Sequence, residues 1–278
     1  MKRKRIFGSS MLLLAAMMWG MSYSVQDLIG EKLSNYTIIF LKGFSGYLII
    51  LFCLITKRKF TKETVLAGIL IGLNNGIGLL LQQIGLSMST VSKTSFISGL
   101  YILFVPVIGL ITGKKPKNKI WISIFIACIG MYFLCINDTF GISIGDVLVL
   151  ISDIFFAMQI ILIDRHTNNV DVVPFCGVQQ ATTSIMSGIM MLAFGRPQIA
   201  DFKGLIQPIL FLIFFPGMIA QLLQNRYQRD VEPTLSSLLL SFESVFGALG
   251  GWLLLNQTLT ARETLGCIII FIAILIAE

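Results

Sequence analysis

Residues 8–28, GSSMLLLAAMMWGMSYSVQDL, contain one charged side chain, that of Asp27, and follow the basic segment 2–5. A helix needs about 20 predominantly apolar residues to cross the roughly 30 Å hydrocarbon core of a bilayer. Apolar runs of this length recur along the chain, whereas the alternating segments of about ten residues that mark a β-barrel do not occur in the sequence. We therefore expect an integral membrane protein whose spans are α-helices, which satisfy their own backbone hydrogen bonds in lipid.

The composition leads to the same conclusion. Hydrophobic residues make up 55% of the 278 residues, charged residues make up 13%, and the mean hydropathy is +0.86. A soluble domain is about a quarter charged, because polar groups must cover its surface. The low charge content therefore excludes a soluble globule, and the 21 Phe residues exclude a disordered chain.

The apolar runs predict ten transmembrane helices and an all-α membrane fold. Turn and charge signals separate them, and no loop is long enough to hold a soluble domain. The first run resembles a cleaved signal peptide, but its length, Trp19, Gly20 and the lack of a small-x-small cleavage site favour a first span. The predicted spans are 8–28, 36–56, 65–85, 93–112, 120–136, 144–164, 173–194, 205–224, 234–255 and 261–277.

The positions of the basic residues predict the orientation. Most of the 21 Lys and Arg residues fall in segments that share the side of the amino terminus. Because such residues accumulate on the cytoplasmic side, we expect a multi-pass protein of the cell (inner) membrane with both termini in the cytoplasm. The net charge of +7 then reflects topology and attraction to anionic lipid. We expect no nucleic-acid partner, since the basic clusters are short turns without interleaved aromatic residues.

The sequence has no pattern typical of catalysis or of a metal site. Its five cysteines lie inside predicted spans, and its one histidine, His166, lies in a short loop. Neither arrangement indicates a disulfide framework or a metal site. Residues 141–145, GISIG, match the GxSxG pattern but have no predicted strand before them, and no HExxH or phosphate-binding loop occurs. We therefore expect a protein that is not an enzyme and has no cofactor.

The two halves of the chain align with each other in two places. Aligning Tyr101 with Ser244 places the fourth and fifth spans on the ninth and tenth without a gap. Aligning Trp19 with Phe156 likewise places the first span on the sixth. We therefore expect two five-helix repeats, 1–138 and 139–278. Because five is odd, the second repeat inserts upside down, an arrangement of transporters whose substrate site lies between the halves.

Short motifs follow one another in a fixed order. The first half contains Trp19-Gly20, Phe40-Leu41-Lys42, Gly85-Leu86 and SFISGLY at 95–101; the second contains QLLQ at 221–224, Pro233-Thr234, SFESVF at 241–246, GWLLLNQTLT at 251–260 and Gly266. In this order they resemble the EamA family of the drug/metabolite transporter superfamily. Three positions depart from the usual motifs of that family. Ser244 stands where Pro is usual, Asn256-Gln257 stands where Gly-Glu is usual, and Lys42 stands where Arg is common. The resemblance covers nearly the whole chain and implies a ten-helix transporter of small metabolites that works by alternating access.

Three charged side chains lie more than one helical turn from either end of a predicted span. Asp153 and Glu243 lie near the middle of theirs, and Lys42 lies in the outer part of the second. Ionisable groups in lipid are costly and mark functional sites. The two carboxyl groups are therefore candidates for binding a coupling proton or a substrate ammonium group. The alternative is structural: a neutral acid, or an acid paired with Lys42, that holds helices together.

Uncharged polar residues recur at helical spacing on several spans. They indicate either a polar cavity or helix–helix hydrogen bonds, worth about 0.6 kcal/mol each. We favour a cavity, because the polar faces lie at compatible depths on separate helices; the fifth and tenth spans, almost purely apolar, are expected at the periphery. With the two acids, the predicted substrate-binding residues are Trp19, Ser22, Asn75, Gln82, Ser98, Tyr101, Asp153, Gln180, Gln221, Gln224 and Glu243.

The sequence thus predicts a secondary transporter that exports amino acids or related amines. We expect its partners to be a small-molecule substrate and the bilayer, its state to be monomeric, and a proton gradient to be one candidate energy source. The first alternative is a drug or toxic-cation efflux protein of the same fold, favoured if Asp153→Asn abolished cation transport but not neutral amino-acid transport. A membrane-embedded enzyme or a sensor subunit is less favoured, because the sequence shows neither a catalytic set nor a soluble output domain.

Overall fold

The computed structural model describes residues 2–111, 117–135, 143–167, 170–255 and 260–277. Across these ranges the chain folds into helices joined by short turns, with no β-strand, so the predicted all-α fold is confirmed. The α-helices are α1 (Lys2–Gly30), α2 (Asn35–Gly43), α3 (Ser45–Ile55), α4 (Lys62–Leu86), α5 (Val91–Ser98), α6 (Tyr101–Ile111), α7 (Asn118–Cys135), α8 (Ile144–His166), α9 (Val172–Phe194), α10 (Ile206–Leu212), α11 (Ala220–Tyr227), α12 (Pro233–Leu240), α13 (Glu243–Leu255) and α14 (Ala261–Ala277).

Helices occupy all ten predicted spans, but four of the spans are broken, which the apolar runs did not predict. The eighth span contains a π-helical segment, Ile213–Ile219, between α10 and α11, and this segment includes Pro216. Turns divide the other three: Phe44 separates α2 from α3, Gly99-Leu100 separates α5 from α6, and Ser241-Phe242 separates α12 from α13.

Seven helical units in the described ranges are long and apolar enough to cross a bilayer. The apolar parts of α7 and α14 are shorter, at Asn118–Phe133 and Thr264–Ala273, and α9 carries a buried polar face. That these three helices also cross the membrane stays a prediction. Some predicted features lie outside the described residues. They are the span ends at 112 and 136, the repeat boundary after 138, and four segments between predicted spans, at 113–116, 137–138, 168–169 and 256–257.

Polar residues determine where several helices begin. The Ser34 hydroxyl caps α2 by accepting a hydrogen bond from the backbone N–H of Thr37, at 3.3 Å. At α8, Ser143 and Asp146 form a reciprocal capping box. Such caps satisfy backbone N–H groups that the first turn leaves without partners. Helix α1 instead begins at Lys2, earlier than predicted, because Lys and Arg are good helix formers.

Close approach at small residues joins the two halves of the chain. A Cβ atom on Gly43 would lie 2.8 Å from the backbone nitrogen of Ser184, and one on Gly46 would overlap the backbone of Ala181. Helices α2 and α3 therefore lie directly against α9. At the centre, α1 packs on α11, α12 and α13. Helices α7 and α14 pair with each other and expose Phe125 and Phe271, in agreement with a position at the lipid-facing edge.

Replacing Gly46 by Ala should destabilise the protein by about 2 kcal/mol, the scale of overpacking in a close-packed interior. The new methyl group would meet the backbone of α9, with the carbonyl carbon of Gln180 only 2.7 Å away. Thermal unfolding of purified protein in detergent measures the effect. Gly30→Ala is the matched control, because its nearest neighbouring atom, on Ile38, is 3.9 Å from the added Cβ. Equal melting temperatures for the two variants would contradict the packing described.

Candidate functional site

A cavity of about 50 Å³ lies at the centre of the bundle. This space is large enough for a few water molecules, at about 15 Å³ each. Helices α1, α2, α4, α6, α8, α11, α12 and α13 contribute to its wall. The lining residues are Trp19, Ser22, Tyr23, Lys42, Asn75, Leu79, Gln82, Tyr101, Phe156, Gln159, Ile160, Gln221, Gln224, Leu240 and Glu243.

Most of the predicted site residues meet in this wall. Ser98, Asp153 and Gln180 do not: Ser98 and Gln180 bond to other side chains behind the wall, and Asp153 is fully buried in α8. The eight that line the cavity are Trp19, Ser22, Asn75, Gln82, Tyr101, Gln221, Gln224 and Glu243. That they bind a substrate stays a prediction.

Two opposite charges face the same cavity. Lys42 is 4% exposed and Glu243 is 5% exposed, and the two groups interact electrostatically. Lys42 lies in the last turn of α2 and Glu243 in the first turn of α13, both beside helix breaks. A cation at a helix C-terminus and an anion at an N-terminus are each stabilised by the helix dipole. The broken helices thus explain how both charges are accommodated, and the acid that interacts with Lys42 is Glu243.

One side of the cavity is bounded by a hydrogen-bonded group from α1, α4 and α5. The Tyr23 hydroxyl donates to the Ser98 hydroxyl at 2.9 Å. The Gln82 amide donates to the Tyr23 oxygen at 2.9 Å and also contacts the Ser98 oxygen. All three side chains are buried. Ser98 therefore positions two residues of the cavity wall without lining the cavity itself.

A chain of glutamines bounds the cavity between α8 and α11. Gln159 donates to the Gln224 carbonyl oxygen at 3.3 Å, and Gln224 donates to Gln228 at 3.1 Å. Gln228 in turn donates to the backbone carbonyl of Ile160 at 2.6 Å. Such a network satisfies amides that are costly to bury alone.

The π-helical segment of the eighth span explains where Gln180 lies. Its widened turns present backbone carbonyls at Pro216 and Gly217 that side chains of other helices bind. Gln180 donates to the Gly217 carbonyl at 2.7 Å, and Ser45 donates to the same oxygen at 2.9 Å. Trp19 donates through its indole nitrogen to the Pro216 carbonyl at 3.1 Å. Gln180 therefore holds helices together, the structural alternative left open by its sequence spacing.

The internal repeat contains a signal for wall residues that helical spacing missed. When the first span is aligned with the sixth, Trp19 falls on Phe156, Ser22 on Gln159 and Tyr23 on Ile160. All six of these residues line the cavity. The repeat partners of Trp19 and Ser22 are Phe156 and Gln159, so the alignment would have identified two wall residues of α8. Leu240 had no such signal.

Comparisons with known proteins identify the family and the fold of the chain. The model of the EamA-like transporter family matches residues 6–136 and 143–277. An uncharacterized transporter of Archaeoglobus fulgidus is 26% identical over 276 residues, which cover 99% of this chain and 87% of that protein. A crystal structure of a protein with 13% identity superposes with a TM-score of 0.79 over 98% of this chain and 96% of that chain. At this identity the likeness concerns the fold alone.

The apolar helices indicate a multi-pass membrane protein, and the family and the relative point to a membrane transporter rather than an enzyme. The chain belongs to the EamA-like transporter family, within the drug/metabolite transporter superfamily.

Removing the Ser98 hydroxyl should lower the free energy of unfolding by about 1 kcal/mol, the usual net worth of a buried hydrogen bond. In Ser98→Ala, Tyr23 and Gln82 each lose a partner in the cavity wall. Thermal unfolding in detergent measures the change. Ser10→Ala is the control, because the Ser10 hydroxyl is exposed and bonds to the carbonyl of Ile6 in its own helix. A Ser98→Ala protein as stable as the control would show that this group contributes nothing to the wall.

Proposed function

We propose that the protein is a secondary transporter of amino acids or related amines. The observation that supports this most directly is the presence of Lys42 and Glu243 in the wall of one cavity. The ammonium group of Lys42 can bind a substrate carboxylate, and the carboxylate of Glu243 can bind a substrate ammonium group. Both interactions become stronger when water is excluded. An amino acid carries both groups on one small molecule. The cavity therefore offers a partner for each end of a zwitterion.

The remainder of the wall suits a small substrate with variable side chains. Trp19, Tyr101 and Phe156 contribute aromatic surface, and Asn75, with the glutamines, contributes neutral donors and acceptors. The side-chain oxygen of Gln221 has no hydrogen-bond partner in the described protein. An unpaired buried acceptor is costly, and a hydrogen bond from a bound molecule would offset that cost.

The alternative, efflux of drugs or toxic cations, is less favoured. Glu243 and the aromatic residues would suit a cation, but Lys42 lies in the same wall and would repel it. Asp153 does not line the cavity, so Asp153→Asn does not distinguish the two substrate classes. Glu243 and Lys42 are the residues that distinguish them.

Alternating access between two inverted repeats is the mechanism we propose. When the fourth span is aligned with the ninth, the break at Gly99 falls on the break at Phe242. Gly43 meets Ser184 and Gly46 meets Ala181, so the second span packs closely on the seventh. The two segments matched by the family model lie on either side of the proposed boundary between 1–138 and 139–278. These features support a cavity that opens to either side in turn.

We propose further that the protein lies in the cytoplasmic membrane with both termini inside, and that it exports its substrate. Basic residues from separate segments gather at one end of the bundle. Arg3 and Arg226 line the same surface depression. Arg58 pairs with Asp171 at 2.7 Å, and Arg229 donates to the carbonyl of the neighbouring residue 170. A basic end of this kind is typical of the cytoplasmic face.

Substitution of the two cavity charges should separate the recognition of the two substrate groups. Lys42→Met should lower amino-acid transport at least tenfold, about 1.4 kcal/mol, but spare the corresponding decarboxylated amine. Glu243→Gln should lower transport of both compounds. Flux of a panel of labelled amino acids and amines into proteoliposomes measures these effects.

The matched controls are Lys32→Met and Glu31→Gln, which change exposed residues of the same types and should leave flux unchanged. Stronger transport of cations by Lys42→Met, with no amino-acid flux in the wild type, would instead favour cation efflux.

The proposed orientation predicts which surface cysteines react from outside the cell. Lys32→Cys should react with a membrane-impermeant maleimide in intact cells, and Lys59→Cys should react only after the membrane is opened. Both side chains are exposed at opposite ends of the second span. The wild-type protein provides the background from its native cysteines. The reverse labelling pattern would place the amino terminus outside.

A further inference from the structure

Asp153 is the one predicted site residue that neither lines the cavity nor has a side-chain hydrogen-bond partner in the described protein. Its side chain is 0% exposed in the middle of α8, and neither carboxyl oxygen has a hydrogen-bond partner in the described protein. Phe156, one turn further along the same helix, lines the cavity and packs edge to face on Tyr101, with 6.5 Å between ring centroids. Asp153 therefore lies close to the cavity but is separated from it in this conformation.

A second aspartate in α8 shows what a structural acid looks like in this protein. Asp146 accepts hydrogen bonds from the Ser89 hydroxyl at 2.6 Å and from the Ser143 backbone N–H at 2.9 Å. These donors stabilise an ionised carboxylate and explain the residue as a helix cap. Asp153 has no comparable donor in the described ranges, and an ionised carboxylate without donors or a cation is very costly to bury. In this conformation the Asp153 side chain is therefore accommodated as the neutral acid.

The ionisable groups around Asp153 connect it with the substrate cavity. Glu243, Tyr23 and Tyr101, all of which line the cavity, lie within electrostatic range of the Asp153 carboxyl group. The charged residues of α4, which packs along α8, are Lys62 and Glu63 in its first turn, about five turns from the level of Asp153.

The remaining described charges near α8 also lie at helix ends. Helix α12 has no charged residue within Pro233–Leu240. Arg229 and Asp230 pack near the carboxyl end of α8, where Asp164, Arg165 and His166 also lie. Glu243 is thus the charged group whose interaction with Asp153 joins the two regions.

We propose that Asp153 is the proton-binding site of this transporter and that its proton and the substrate exclude each other. The inference rests on the proposed function. When a substrate ammonium group binds beside Glu243, its positive charge stabilises a carboxylate at Asp153, and the protonated acid releases its proton. The reactants are the protein with a protonated Asp153 and one free substrate molecule. The products are the protein with bound substrate and an Asp153 carboxylate, and one released proton.

Such exclusion makes the protein an antiporter. By thermodynamic linkage, protonation of Asp153 weakens substrate binding by the same factor by which substrate weakens proton binding. A proton that enters from outside then displaces the substrate there, and the inward proton gradient drives export.

The first test measures proton binding without transport. Infrared difference spectroscopy of the wild type at neutral pH should show the carbonyl band of a protonated carboxyl group, and this band should be missing in Asp153→Asn. Asp146→Asn is the matched control, in the same helix with hydrogen-bonded partners, and should retain the band. A wild-type spectrum in which no protonated carboxyl band depends on Asp153 would overturn the proposal, whatever the substrate is.

The second test measures coupling. An equimolar mixture of neutral L-amino acids, added to weakly buffered wild-type protein in detergent, should release about one proton per protein, as reported by a pH indicator. Asp146→Asn should release the same amount, and Asp153→Asn should release none. Two rates are measured in proteoliposomes: accumulation of amino acid driven by a pH gradient, and exchange of labelled for unlabelled amino acid. The ratio of the first rate to the second should fall at least tenfold in Asp153→Asn.

The two proposals fail in different ways. Exchange that occurs in the wild type but responds to the pH gradient equally in Asp153→Asn would contradict the proton site and leave the transport function in place. Absence of exchange for every amino acid, with the Asp153 infrared band present, would contradict the proposed substrate class and leave the proton site.

Discussion

Polar groups inside a bilayer have no water to bind, so the helices of this protein depend on hydrogen bonds that each receives from another. The π-helical segment of the eighth span shows the consequence. Its carbonyl groups at Pro216 and Gly217 accept from Trp19, Ser45 and Gln180, which belong to α1, α3 and α9. Irregular backbone at this depth is tolerated only where protein covers it. The requirement to satisfy one segment therefore fixes three helices around it, and with them the cavity.

The same constraint places the charges. Lys42 and Glu243 lie at the ends of broken helices, where unsatisfied backbone groups and helix dipoles stabilise them. The breaks thus provide a local environment for charge and a change of direction in the chain next to the cavity. Asp153 lies in an unbroken helix without such an environment, which is why its carboxyl group stands apart from the other two.

Helical spacing found most of the cavity wall because polar residues one turn apart share a face, as Trp19 and Ser22 do in α1. It failed for Ser98 and Gln180, because the same spacing also marks residues that bond to a neighbouring helix. Phe156 and Gln159 became visible only when the two halves were compared. The breaks in four spans were not predicted, since a run of apolar residues reads the same whether the helix continues or turns.

The sequence by itself determined that the protein is an integral membrane protein, that its spans are helices and which family it resembles. These properties follow from composition, from the length of contiguous segments and from the order of motifs, and none requires knowledge of what lies beside a segment. Only the tertiary structure decided which side chains face the cavity, and that Glu243 rather than Asp153 is the acid interacting with Lys42. Those facts depend on contacts between opposite halves of the chain, because a polar side chain in a membrane is defined by its partner on another helix.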